Sequence, residues 1–178
     1  MYFSLKDNIS SYSIKTKKLK KKQVLDIVKL KDQHWKFGLK SQLLFFKKNF
    51  KSYDIHNLFY LSKILIGYTA LKKRTFYKEK EKKNYLLFDT LVIAKDFRNL
   101  KLSRAIMSFN NKIIRNNKMR SFLICEKKLY KFYKKFSWSK INKKNIEFKD
   151  HKTKKDFMGF NFKSNVLKNS KLTLFFEK

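Results

Sequence analysis

The segment NYLLFDTLVIAK, residues 84 to 95, constrains the fold more than any other part of the chain. It is apolar on both faces along most of its length, so it predicts a central strand that is covered on both sides. Beyond it, four apolar residues recur at the spacing of a helix with one buried face: Leu102, Ile106, Phe109 and Ile113. This pair of patterns predicts a sheet packed against helices.

The other apolar patterns predict the remaining elements in chain order. The expected elements before the central strand are a strand at 11–19, helices at 21–35 and 39–50, and a β-hairpin from 56–61 and 64–73. Gly38 is the predicted break between the two helices, and Gly67 marks a point of close packing in the hairpin. The later predictions are a charged hairpin loop or strand extension at 73–84, a strand at 119–126, a short helix at 128–136, and strands near 137–148 and 172–178 with an irregular connection between them.

Composition bounds the class of protein. The 178 residues suit a single domain covering residues 1–178, and 43% hydrophobic residues are enough to close a core. No apolar run approaches the roughly 18 residues of a membrane span, so we expect a cytoplasmic protein without a membrane partner. The single cysteine, Cys125, excludes an internal disulfide, and three scattered histidines give no metal-ligand spacing.

The net charge of +33 has two interpretations. Clustered cations bind phosphates, which would favour non-specific nucleic acid binding through surface charge. However, the abundance of Lys, Asn, Ile, Phe and Tyr matches A/T-rich codons, so much of the charge is also explained as a solvated lysine surface. Both interpretations favour an anionic ligand or partner.

The turn in LVIAKDFRNLKLSRAIM, residues 91 to 107, is the strongest candidate binding site. The first amides of a helix have no internal partners and lie at the positive end of its dipole, so they can bind a pyrophosphate. Arg98, Lys101 and Arg104 add positive charge there. The alternative is an ordinary strand-to-helix turn with solvated cations.

The turn at residues 98–103 and the later stretch FYKKFSW, residues 132–138, occur in an order that resembles the GCN5-related N-acetyltransferase (GNAT) superfamily. The family signature R/Q-x-x-G-x-G/A after the central strand is matched by Arg98, Asn99, Leu100, Lys101, Leu102 and Ser103, with lysine and serine at the glycine positions. A second family element, an aromatic–Tyr pair followed by Gly–Phe, is matched by FYKKFSW, where Ser137 and Trp138 stand at the Gly–Phe positions.

The resemblance implies an α+β fold. It has a mixed, mostly antiparallel central sheet of about six to seven strands flanked by about four helices. It also implies acetyl-CoA as co-substrate and no metal. The implied cofactor-binding residues are Leu91, Val92, Ile93, Arg98, Asn99, Leu100, Lys101, Leu102, Ser103 and Arg104.

In such an enzyme an amine attacks the thioester directly and the thiolate is protonated as it leaves. The resemblance assigns the oxyanion donors to backbone amides of Leu91 to Ile93, and the proton donor to Tyr133. Asp89, which interrupts the apolar strand, is the best candidate base; pairing with a lysine is the equally weighted alternative. Cys125 is given no catalytic role, and Glu126 stands where the family often has asparagine.

Two adjustments would let the turn at residues 98–103 bind a pyrophosphate without glycine. Ser103 is small and can donate its hydroxyl, and the Lys101 amide stays available if its φ is negative.

In this fold the acceptor is usually selected by the first two helices and the loop after them. The residues in question are His34, Trp35, Gln42, Phe45, Phe46, Asp54 and His56. We expect a small, anionic amine acceptor such as an amino sugar, with a protein N-terminus also open, and a monomer or homodimer. The alternative function is a basic protein that binds nucleic acid or ribosomes on a catalytically degenerate GNAT fold.

Overall fold

A computed structural model describes residues 9–78, 80–149, 153–162 and 171–175. Four α-helices lie within these residues: α1 (Lys21–Asp32), α2 (Leu39–Asn49), α3 (Leu102–Asn116) and α4 (Tyr130–Lys134). The same residues form nine strands: β1 (Ile9–Lys15), β2 (Ile55–Leu61), β3 (Ile64–Lys78), β4 (Glu81–Ile93), β5 (Arg120–Cys125), β6 (Ser139–Ile141), β7 (Ile146–Phe148), β8 (Asp156–Phe160) and β9 (Leu172–Leu174).

Local chemistry explains where the first two helices begin. The Gln23 side chain accepts a hydrogen bond from the Lys20 amide at 2.8 Å, which caps the start of α1. Gly38 has φ 81 and its amide donates to Asp32 Oδ1 at 2.8 Å, so the chain reverses there before α2 begins. The predicted helices and the break at Gly38 are confirmed, with α1 ending at Asp32 rather than at residue 35.

The sheet is mixed and mostly antiparallel. The antiparallel pairs are β1–β2, β2–β3, β3–β9, β5–β8 and β6–β8, whereas β4–β5 and β7–β9 are parallel. The strand β4 lies between β3 and β5, which confirms residues 84–95 as a central strand. The α+β class is therefore confirmed, with nine strands in the described residues instead of six to seven.

Two element predictions need correction, and one pair of alternatives is decided. The first strand covers Ile9–Lys15, and Thr16–Lys18 is a 3-10 turn rather than strand. For the charged segment at 73–84 the strand-extension alternative is confirmed, because β3 continues to Lys78 and β4 begins at Glu81. β8 lies within the segment predicted to be irregular, and it pairs with β5 and β6, so long-range pairing rather than local pattern forms it.

By its internal contacts the chain divides into two compact units. The first comprises the described residues up to Leu71 together with Thr90–Asn110, and the second comprises Lys72–Asp89 together with those from Asn111 onward. The prediction of a single domain stays a prediction.

The first unit packs apolar residues on both faces of its strands. On one face Ile27 and Val28 of α1 and Phe46 of α2 pack with Val92 of β4. On the other face Ile106 of α3 packs with Phe59, Ile66 and Ile93. A Cβ at Gly67 would lie 2.6 Å from Ile106 Cδ1, which confirms the close packing predicted for that glycine.

The second unit has its own core. Its buried apolar residues come from the C-terminal end of β3, the N-terminal half of β4 and strands β5 to β9: Phe76, Tyr85, Leu87, Phe122, Ile141, Ile146, Phe157, Leu172 and Leu174. In the described parts of the chain, none of the helices has the length and apolar content needed to cross a membrane. The described residues also contain no cluster of three His, Cys, Asp or Glu side chains able to hold a metal ion.

Candidate functional site

The candidate pyrophosphate turn joins β4 to α3 through a 3-10 helix at Lys95–Leu100. Lys101 then adopts φ 54 and ψ 20, the left-handed conformation, and α3 begins at Leu102. The condition set for Lys101, a negative φ, is therefore not met. Lys101 ends the 3-10 helix, and helices commonly end at a residue in the left-handed conformation. The backbone has the glycine-type conformation although the residue is lysine.

This conformation affects the neighbouring amides. A right-handed residue followed by a left-handed one turns successive backbone N–H groups toward a common point, which forms an anion-binding concavity. Leu100 and Lys101 have this sequence of conformations. The Arg104 amide donates to the Lys101 carbonyl at 3.2 Å as the first turn of α3 closes. The amides of Leu102 and Ser103 precede it and are helix N-terminal donors.

The charges at the turn differ in their contacts. Arg98 Nε donates to the Ile93 carbonyl at 3.2 Å, and Arg98 Nη2 lies 3.3 Å from His34 Nδ1. Its guanidinium is thus held between the end of β4 and the segment after α1, with N–H groups left for an anion. Lys101 and Arg104 are exposed.

The backbone amides of Leu91, Val92 and Ile93 point toward two different edges of β4. The Ala94 amide donates to the Ile66 carbonyl of β3 at 2.9 Å, so alternation directs the Val92 amide toward β3 as well. The Ile93 carbonyl accepts from Arg98, so the Ile93 amide lies on that opposite edge of β4, as does the Leu91 amide. Side chains follow the same alternation, since Val92 and Ile93 belong to different core clusters. Only Leu91 and Ile93 therefore direct amides away from β3.

Tyr133 of α4 is buried at 9% exposure. Its ring makes edge contacts with Phe88 and Phe132 at 6.2 and 5.0 Å between centroids. Burial, with a smaller contribution from Cys125, raises the pKa of Tyr133 to about 12. The phenol is therefore protonated at neutral pH, and within the described residues no group hydrogen-bonds to its hydroxyl.

The loop after α4 holds Tyr133 in position. Ser137 has φ 63, again a left-handed residue where the family has glycine, and the Trp138 amide donates to the Tyr133 carbonyl at 3.3 Å. Trp138 is 1% exposed, and its Nε1 donates to Asn111 Oδ1 at 3.0 Å. Asn111 in turn donates to the Phe136 carbonyl at 2.9 Å. Sequence reasoning missed Asn111; a second asparagine on the buried side of α3 was the available signal.

Asp89 does not lie in an apolar environment. Its Oδ1 is 2.9 Å from Lys72 Nζ, and its side chain is 23% exposed while that of Lys72 is 7% exposed. The lysine-paired alternative therefore describes its surroundings. A role as base remains a proposal.

Cys125 at the end of β5 and the adjacent Glu126 each have a shifted pKa. Burial, followed by Asp156 and Glu126, raises the pKa of Cys125, which makes the reactive thiolate scarce. Glu126 is exposed and pairs with Lys128 at 2.7 Å, which holds the pKa of this carboxyl below its usual range.

The acceptor-selection residues separate into core and surface. Gln42, Phe46, Asp54 and His56 are buried, whereas His34 and Phe45 are exposed and Trp35 is half-buried. His56 is held by Tyr68 Oη and Thr16 Oγ1, each at 2.8 Å. The polar members of the set are thus largely internal, contrary to the usual surface position. His34 is the member that reaches the turn, through Arg98.

The first unit brings the pyrophosphate turn, the end of β4 and His34 together. The second unit separately contains Tyr133, Asp89 and Cys125.

The arrangement of strands and helices, with the turn after β4, defines a GNAT-type α+β fold. No protein-family model matches the chain, and no curated protein matches it. Solved structures match at the level of the fold. The GNAT-family N-acetyltransferase YhbS from Escherichia coli, in complex with CoA, has a TM-score of 0.69 at 11% identity over 95% of this chain and 89% of that chain.

Two further solved structures also match the fold of the chain. Escherichia coli ElaA has a TM-score of 0.62 at 13% identity over 85% of this chain and 98% of that one. The PaiA N-acetyltransferase from Thermoplasma acidophilum, in complex with coenzyme A, has a TM-score of 0.52 at 12% identity over 86% and 99%. The chain therefore has the fold of the GCN5-related N-acetyltransferases, as its two motifs predicted.

Proposed function

We propose that this protein is an acetyl-CoA-dependent N-acetyltransferase. The observation that carries the proposal is the left-handed Lys101 directly before α3. A lysine in a conformation that disfavours side chains is retained at the position where the family has glycine, which is expected if the amides it orients bind a ligand. The solved structures of YhbS and PaiA, which share the fold, contain CoA.

The pyrophosphate of the coenzyme would bind at the turn. The amides from Leu100 to Ser103 would donate hydrogen bonds, and the exposed Lys101 and Arg104 would supply charge. Arg98 would stabilise the end of β4 as well as the anion, because its guanidinium already bonds the Ile93 carbonyl. Asn99 would contribute through its backbone.

Acetyl transfer to an amine requires an oxyanion donor and a proton donor. We assign the first to the backbone amides of Leu91 and Ile93, which lie on the edge of β4 away from β3. This narrows the predicted set by removing the Val92 amide. We assign the second to Tyr133, because its raised pKa keeps the phenol protonated and able to donate to a leaving thiolate.

Asp89 remains a candidate base for the acceptor amine. Its side chain is 23% exposed, so the carboxylate is accessible to an acceptor amine. The acceptor itself is proposed to be a small amine carrying negative charge, since the net charge of +33 favours an anion.

Calorimetry with acetyl-CoA tests the first part of the proposal. Arg98→Glu should weaken coenzyme binding by at least about 10-fold, because it reverses charge at the turn. Lys112→Glu is the matched control: the residue is exposed on α3, the helix that follows the turn, and its replacement makes the same change of charge. No binding at millimolar coenzyme, in protein shown to be folded, would exclude the function.

Steady-state release of the coenzyme thiol tests the second part. Tyr133→Phe should lower kcat about 100-fold while the acetyl-CoA affinity stays within about 2-fold. Tyr130→Phe, on the same helix, is the control that should leave kcat unchanged. Equal rates for the two variants would remove Tyr133 from the mechanism.

The acceptor class is tested by comparing a nucleotide-linked amino sugar with the same amino sugar lacking the nucleotide. The charged substrate should show a lower KM that rises with salt. Equal KM values at all salt concentrations would exclude selection by charge.

A further inference from the structure

A cavity lies in the second unit, at the N-terminal ends of β4 and β5. Its volume is about 430 Å³, and it is lined by Lys73, Phe76, Lys83, Asn84, Lys118, Met119 and Arg120. Among these lining residues four are cationic and none is acidic. The candidate pyrophosphate turn, by contrast, follows the C-terminal end of β4.

Arg120 is the central feature of this cavity. Its guanidinium carbon lies 5.7 Å from the ring centre of Phe76 and 5.6 Å from that of Phe162, so the planar group is held between two aromatic rings. Its Nη1 is buried and has no hydrogen-bond partner among the described residues. A buried charged donor without an acceptor is energetically unfavourable, and an anion in the cavity would supply the missing acceptor.

The surrounding charges are only partly compensated. Glu81 pairs with Lys83 at 2.5 Å at the exposed rim. This pairing, together with the fields of Lys78 and Arg120, holds the pKa of Glu81 below its usual range. Among the described residues around the cavity, one exposed carboxylate therefore faces several cations, and their net field attracts an anion.

The chemistry of the lining selects among anions. A guanidinium with a free edge next to lysine ammonium groups suits phosphate oxygens, which accept several charge-assisted hydrogen bonds at once. The apolar wall from Phe76 and Met119 would contact a non-phosphate part of the ligand, and about 430 Å³ is the size of a small-molecule site.

We propose that this cavity binds a phosphorylated small molecule, with the phosphate held by Arg120 and the flanking lysines. This site is separate from the proposed acetyl-CoA turn and does not depend on acetyltransferase activity. Because a phosphate group also occurs in nucleic acid, the test compares both sources.

The experiment uses the full chain carrying Arg98→Glu, which disables the proposed pyrophosphate turn. It measures the binding of tripolyphosphate by calorimetry at 0.15 M salt, where the Debye length is about 8 Å. Lys83→Gln/Lys118→Gln should weaken binding by at least about 10-fold, because two cations at the site are lost. Lys112→Gln/Lys127→Gln removes two exposed lysines outside the cavity lining and is the matched control. It should change the affinity by less than about 2-fold, since distant exposed charges are screened.

Two further measurements make the result decisive. In the chain that carries Arg98→Glu, Arg120→Met should abolish tripolyphosphate binding while circular dichroism remains native, because the turn no longer offers a second anion site. A single-stranded RNA oligonucleotide should bind equally well to the cavity variant and to its control.

Equal weakening of tripolyphosphate binding by the cavity variant and the control, or no binding at about 10 mM, would overturn the proposal. RNA binding that requires Lys83 and Lys118 while tripolyphosphate binding does not would overturn it in favour of a polynucleotide.

Discussion

Replacing Lys101 by glycine should stabilise the protein, although it removes a side chain and adds none. A non-glycine residue in the left-handed region costs about 1–2 kcal/mol, and Lys101 has φ 54 and ψ 20. Glycine also makes the unfolded chain more flexible, at a cost of about 0.4–1 kcal/mol. The net expected gain in the free energy of unfolding is about 0.8 kcal/mol at the centre of these ranges.

Urea and thermal unfolding measure this gain. For a chain of this length the melting temperature should rise by about 2–3 °C. Lys101→Ala is the control, because it removes the same charge but keeps the Cβ; its stability should stay within about 0.5 kcal/mol of the original protein. If the glycine variant is no more stable than the alanine variant, Lys101 does not adopt the left-handed conformation, and the anion-binding concavity inferred from it is wrong.

Three further results are expected. Gly67→Ala should destabilise the protein by about 1–3 kcal/mol in urea unfolding, because its Cβ would lie 2.6 Å from Ile106 Cδ1, and adding Ile106→Val should recover much of the loss. The pKa of Tyr133 is about 12 in the folded protein and about 10 in the unfolded chain, so its stabilising contribution is complete below pH 10 and is lost as the pH rises from about 10 to 12. Tyr133→Phe should reduce this loss in pH-dependent unfolding. An unchanged pH profile would contradict the raised pKa of Tyr133. Asp89→Asn should lower the free energy of unfolding by about 1–3 kcal/mol, because the contact with Lys72 is lost, and the double variant Asp89→Asn/Lys72→Met should be more stable than the single variant. A fall in kcat that persists in the double variant would support Asp89 as the base. Full activity of the double variant would exclude it.

Sequence patterns located the elements that local chemistry forms. Both early helices, the hairpin around Gly67 and the central strand followed by α3 lie close to where periodicity predicted them. The strand β8 was missed because Asp156–Phe160 has a weak local pattern and pairs with two strands from other parts of the chain. Local propensity does not contain that information.

The candidate site divides in the same way. Sequence alone predicted the turn, its three cations and Tyr133 as site residues, because residue type and order carry that information. It also determined the class of fold, which the solved GNAT structures confirm.

Only the tertiary structure decided the conformation of Lys101, the bond from Arg98 to the Ile93 carbonyl and the pairing of Asp89 with Lys72. The same is true of the basic cavity around Arg120, whose lining residues come from three separate parts of the chain. Each of these features depends on backbone direction or on contacts between distant segments. A lysine where glycine is expected therefore identified the position in the sequence, and the folded chain determined that its backbone still takes the shape of glycine.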